Sequence, residues 1–140
     1  MNKQQRMKDT LYYKYYNVNP FEKFGGDCVV RAIALMTNDS WAGTIHKLTD
    51  LGIQKGFVLN DKHVYIDYLK KKGFIEMNEP RDDYNRKMSL ADFLDNNPNV
   101  TDFVAIVGSH HVTAVKNGRV HDIWNCSNET IHRYYVVPGK

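Results

Sequence analysis

The chain has 140 residues, a formal net charge of +3, and 42% apolar and 25% charged side chains, the make-up of one globular domain with one core. No apolar run approaches the ~18 residues of a membrane span, and residues 1–10 lack the apolar stretch of a secretory leader, so the expected location is the cytoplasm. Lys and Arg are scattered, and the densest group, Lys70-Lys71-Lys72, falls where a helix should end and complements its dipole, which argues against a nucleic-acid footprint.

Residues 1–10 are polar and read as loose. Tyr12, Tyr13, Tyr15 and Tyr16 then form an aromatic cluster expected to pack across the domain as a strand. Asn19-Pro20 and Gly25-Gly26 punctuate a loop. Asp27 stands at an N-cap position before an apolar helical run, Cys28 to Met36, which should be buried. Ser40 caps a second helix with Trp41, Ile45, Leu48 and Leu51 at helical spacing, closed by Gly52 and Gly56. Asn60-Asp61 opens a third, ended by Gly73, and Ser89 caps a short fourth with Leu90, Phe93 and Leu94 inward. The period then changes. Phe103–Val107 reads as a buried strand, and His111–Lys116 as a second. The Asn117-Gly118 hairpin signal leads to a returning strand at Arg119–Trp124, and Ile131–Val137 is the last. Four helices followed by an antiparallel sheet describe a single α+β domain over residues 1–140.

Two cysteines make no disulfide framework, so each needs its own account. Cys28 opens a helix, where unsatisfied N–H groups and a partial positive charge favour the thiolate, and Gly25-Gly26 lets a substrate approach the backbone. Alone, it reads more readily as an ordinary core cysteine than as a nucleophile. His111 begins a strand, a rigid support for an imidazole that must pair with a thiolate, and His110 is the competing candidate. A two-residue turn at Asn117-Gly118 pairs Thr113 with Asp122, which sets Asp122 diagonal to His111 on one face. A carboxylate there fixes the tautomer and supports the imidazolium, with Asn125 as the alternative orienting group. The Cys28 N–H is the first oxyanion donor and Asn19 the second, with Asn17 as its alternative. Asp27 opposes the thiolate unless it is occupied in capping Val30 or pairing with Arg31. Cys126 lacks a helix start and receives no catalytic role.

The order Cys on a helix, His at a strand start and Asp on the next strand resembles the papain-like cysteine peptidase superfamily. More narrowly, Asn19-Pro20, the block Gly26 to Ile33, the block His111 to Gly118, and Asp122-Ile123-Trp124-Asn125 resemble a group of small proteins of phages and Gram-positive bacteria. The helix-start block is also similar to the cysteine motif of ovarian-tumour-type deubiquitinases, although Gly25-Gly26 stands where those carry Asp-Gly. Glu22 occupies the place of the papain oxyanion glutamine, six residues before the nucleophile.

The resemblance implies a papain-like fold and a thiol hydrolase. Its substrate would be a protein or peptide of phage or host, its place the host cytoplasm, and it would need no metal or cofactor. Hydrolysis and acyl transfer share the acyl-enzyme step and stay unseparated, and oligomeric state is not encoded legibly. A scaffold that binds and inhibits a host protein is the alternative.

Overall fold

The structure is a computed structural model describing residues 8–139. Ten elements follow in order: β1 (Tyr13–Tyr15), α1 (Cys28–Thr37), α2 (Trp41–Lys55), α3 (Lys62–Lys71), β2 (Ile75–Met77), α4 (Leu90–Asn96), β3 (Phe103–Val107), β4 (His111–Lys116), β5 (Arg119–Asp122) and β6 (Ile131–Val136). The architecture is α+β, with four helices on a six-stranded mixed sheet ordered β1-β5-β4-β3-β6-β2. No helix among the described residues is long and apolar enough to cross a membrane.

Local chemistry sets the helix ends. The Ser40, Asp61 and Ser89 side chains accept from the backbone N–H groups of Gly43, His63 and Asp92, closing the starts of α2, α3 and α4. Helix α2 runs through Gly52 and stops at Gly56, which takes φ 84°. Gly52 is needed for closeness rather than for a turn, because a Cβ there would lie 2.4 Å from the carbonyl oxygen of Phe57. Asp27 precedes α1 but makes no side-chain cap, so the first N–H groups of this helix stay uncovered by a carboxylate.

The sheet alternates between two apolar layers. Val104, Val112, Ala114 and Tyr135 join α1, α2 and α3 around Ile33, Leu48, Val64 and Leu69, all essentially without solvent contact. Phe103, Ala105, Val115 and Val120 face the other way onto α4 and Tyr13, where the Phe93 ring lies 5.8 Å from Phe103 and 4.9 Å from Tyr134. Each fully buried side chain of this size contributes about 1.5–3 kcal/mol.

The β4–β5 hairpin has the register its turn dictates, with Ala114 opposite His121, Val115 opposite Val120 and Lys116 opposite Arg119. Asn117 and Gly118 sit at φ 53° and 75°, the doubly left-handed turn that matches strand twist.

The sheet departs from the expected C-terminal antiparallel one at both edges. β1 pairs with β5 in parallel, and β2 arrives from the helical half to pair with β6. Both edge strands have three residues, too few to print a period in the sequence. β6 pairs with β3 rather than β5, because the segment 123–130 carries the chain back across the end of the sheet. Residues 1–7 of the segment read as loose lie outside the described residues. Asp9 and Thr10 are tied down, through the Tyr15 N–H at 2.8 Å and the Arg119 guanidinium at 2.8 Å respectively.

Candidate active site

Helix α1 packs across β4, and this crossing brings residues of two layers to one end of the sheet. Cys28, the first residue of α1, is half-buried there. The His111 imidazole and the Val112 N–H are the neighbours that favour its thiolate. Burial pushes the Cys28 thiol up, but these neighbours, together with the charges of His111 and Arg31, outweigh it and leave the thiol below its ordinary value.

On its other side the imidazole meets a carboxylate. His111 Nε2 lies 2.7 Å from Asp122 Oδ2, so Nδ1 is the nitrogen left for the thiol. Burial alone would depress His111. The bond to Asp122 and the neighbouring Cys126 and Cys28 side chains oppose this and raise its pKa from 6.5 to about 11. The Trp124 ring, 4.9 Å away and tilted by 53°, covers the imidazole.

Asp122 is 3% exposed, and both of its oxygens are occupied. Oδ2 accepts from His111 and from the Thr113 hydroxyl at 2.6 Å; Oδ1 accepts from the Ile123 N–H at 2.7 Å and from the Arg31 guanidinium at 3.1 Å. Burial would raise this carboxyl, yet the His111, Arg31 and Thr113 interactions hold it below the usual carboxylate range. Its backbone is fixed as well: the Asp122 carbonyl accepts from the Tyr13 hydroxyl and the Tyr16 N–H, each at 3.0 Å.

Arg31 also reaches Asp27, its i−4 neighbour, in a close ion pair. Asp27 receives the Trp41 indole N–H at 2.9 Å and the Asn19 amide at 3.3 Å. Its carboxylate is thus occupied by pairing and not by capping Val30.

The structure brings Cys28, His111 and Asp122 together. Asn19, buried at 5% exposure, spends its amide nitrogen on Asp27 and its oxygen on the Phe21 N–H at 2.8 Å. Asn17 donates to the Lys23 carbonyl and accepts from the Asn19 N–H, both at 3.1 Å. The Asn125 oxygen accepts from the Ser127 hydroxyl at 2.5 Å and the Ser127 N–H at 3.0 Å, and the Asp122 carboxylate meets His111 Nε2. His110 is exposed in the β3–β4 turn at φ 73°, and His121 lies beside Tyr16 with ring centroids 5.9 Å apart.

Sequence reasoning missed four neighbours. Arg31 reads in the sequence only as the partner of Asp27, Thr113 only as a register marker, and Trp124 only as a strand end and part of a motif. Cys126 is fully buried with its sulfur 3.9 Å from Asp122 Oδ2, and burial raises its thiol above the ordinary value. The hairpin register already put Thr113 opposite Asp122. The folding-back of residues 123–130 had no periodic signal.

Among the described residues, donor atoms of His111, Asp122 and Cys126 fall within 4.8 Å of one another and could hold a metal ion. His111 Nε2 and Asp122 Oδ2 are already bonded to each other, so the set reads first as a proton network. Residues next to Cys28 and to His111 in the chain line two grooves. Gly26 and Asp27 line one of about 590 Å³ with Ile45, Phe57 and Val58, and Tyr65 and His110 line another of about 390 Å³ with Lys62, Ile106 and Arg133. No family model, curated protein or solved structure matches the chain.

Proposed function

We propose that this protein is a papain-like thiol hydrolase that cleaves a peptide, isopeptide or amide bond through a Cys28 acyl-enzyme. One observation carries the reading: a single imidazole, His111, meets a buried carboxylate at 2.7 Å and neighbours the Cys28 thiol at the start of α1. That is the arrangement a thiolate–imidazolium pair requires.

The Cys28 thiolate attacks the carbonyl carbon and forms the C–S bond, with the carbonyl electrons moving onto oxygen. The uncapped start of α1 offers its first N–H groups to that oxyanion, and Asn19 serves as second donor through the amide hydrogen that Asp27 does not hold. His111 gives its proton to the departing amine, leaving a thioester. It then takes a proton from water, which attacks the thioester and frees the acid and the thiolate. Asp122 keeps Nε2 protonated and directs Nδ1 at sulfur throughout. Open grooves lined by the chain neighbours of Cys28 and His111 suit an extended protein or peptide substrate. Through the resemblance to small phage and Gram-positive bacterial proteins, the reading extends to a phage-encoded enzyme acting in the host cytoplasm.

Iodoacetamide labelling across pH, with the adduct located by mass spectrometry, tests the reading. Cys28 in the folded protein should label well below the ordinary thiol range, Cys126 should stay protected, and His111→Ala should abolish the fast reaction. Labelling of Cys28 no faster than in the unfolded chain overturns the reading.

A further inference from the structure

Arg31 is buried at 5% exposure, an expensive place for a guanidinium without partners. It sits one turn beyond Cys28 on α1, and its fork is divided: one nitrogen is on Asp27 Oδ1, the other 3.1 Å from Asp122 Oδ1. The first carboxylate directly precedes the thiol residue. The second holds the base. Resting on the thiol-hydrolase reading, we propose that Arg31 is a positioning residue that balances charge in the site, cancelling Asp27 beside the thiolate while pinning Asp122 against His111.

The charge count gives the reason. With the thiolate formed, the cluster holds three anions (Cys28, Asp27 and Asp122) against two cations (His111 and Arg31). Without Arg31 one imidazolium would face all three anions, and proton loss from Cys28 would become harder. The remaining neighbours are neutral donors: Asn19 and Trp41 on Asp27, and Thr113, the Ile123 N–H and Cys126 on Asp122. None supplies a charge. Lysine could not replace arginine fully, because a single ammonium lacks the planar fork that spans two carboxylates.

A purely structural Arg31, one that only ties α1 to the sheet, makes a different prediction. In that case removing the Asp27 charge adds damage to the loss of Arg31. If Arg31 balances charge, removing Asp27 repairs that loss.

The experiment measures the rate of Cys28 alkylation by iodoacetamide against pH in the wild-type chain, Arg31→Gln, Arg31→Lys, Asp27→Asn, and the double variant Asp27→Asn/Arg31→Gln. Arg31→Gln should move the midpoint up by about one pH unit, about tenfold in rate on the rising limb. Arg31→Lys should move it less. Asp27→Asn should move it down, and the double variant should return toward wild type. A folded Arg31→Gln protein with the wild-type profile overturns the proposal, as does a double variant no better than Arg31→Gln. If Arg31→Gln fails to fold, Asp27→Asn and Arg31→Lys decide: a wild-type midpoint in both overturns it. Wild-type Cys28 that titrates like an unfolded thiol instead sinks the hydrolase reading itself, before any variant is compared.

Discussion

His111 and Thr113, alternate residues of β4, donate to the same atom, Oδ2 of Asp122, at 2.7 and 2.6 Å. The pleat makes this possible, since residues two apart share a face and a diagonal neighbour across the hairpin lies within reach of both. The shared acceptor couples the orientation of the His111 imidazole to the register of a strand.

Asp122→Asn preserves shape while removing the charge that faces Arg31 and His111. Breaking a buried pair from one side costs about 3–5 kcal/mol. Urea unfolding should show that loss, and the Cys28 labelling profile should shift to higher pH. A change under about 1 kcal/mol would mean the network is not held as described.

Thr113→Val isolates the hydroxyl, since the side chains are nearly equal in size. Losing a buried hydrogen bond to a charged acceptor costs about 1.5–3 kcal/mol. His111 keeps its own bond to Oδ2, so the labelling profile should shift less than in Asp122→Asn. An equal or larger shift would show that Thr113 acts on the imidazole directly.

Gly118 tests the turn apart from the site. A Cβ there meets nothing within 4 Å, so the cost of Gly118→Val is backbone strain alone at φ 75°, roughly 1–2 kcal/mol. Asn117→Gly should be close to neutral by the same reasoning. Thermal unfolding of the two variants checks both, and equal losses would contradict the turn geometry.

The pH dependence of stability follows from two groups with opposite signs. His111 has a folded value near 11 against 6.5, so its contribution is complete below pH 6.5 and disappears as pH rises toward about 11. Asp122 is lowered from 3.8, so its contribution is complete above that value and is lost as pH falls through its folded value. Denaturant midpoints should therefore decline on both sides of a plateau between about pH 4 and 6.5. In His111→Ala the alkaline decline should shrink; an unchanged alkaline limb would assign it to other groups.

Much of this was legible because single residues carry strong local rules. Ser40, Asp61 and Ser89 announce helix starts, and Asn117-Gly118 alone fixes the register that sets Asp122 near His111. Illegible parts depend on contacts between segments far apart. Tyr13 offers no sign that it will lie parallel to β5 with its hydroxyl on the Asp122 carbonyl. Cys126 gives no sign that its loop returns beneath the imidazole. Arg31 looked like a simple i,i−4 partner, because its second contact is set by how α1 crosses the sheet.

The parallel pairing of β1 with β5 has a consequence in time. β1 and Cys28 leave the ribosome before the β4–β5 hairpin that carries His111 and Asp122. Until then the thiol has no imidazole beside it and behaves as an ordinary, mostly protonated sulfhydryl. The growing chain is therefore chemically quiet. The imidazole and its carboxylate reach the thiol only when the later hairpin closes against the earlier segment.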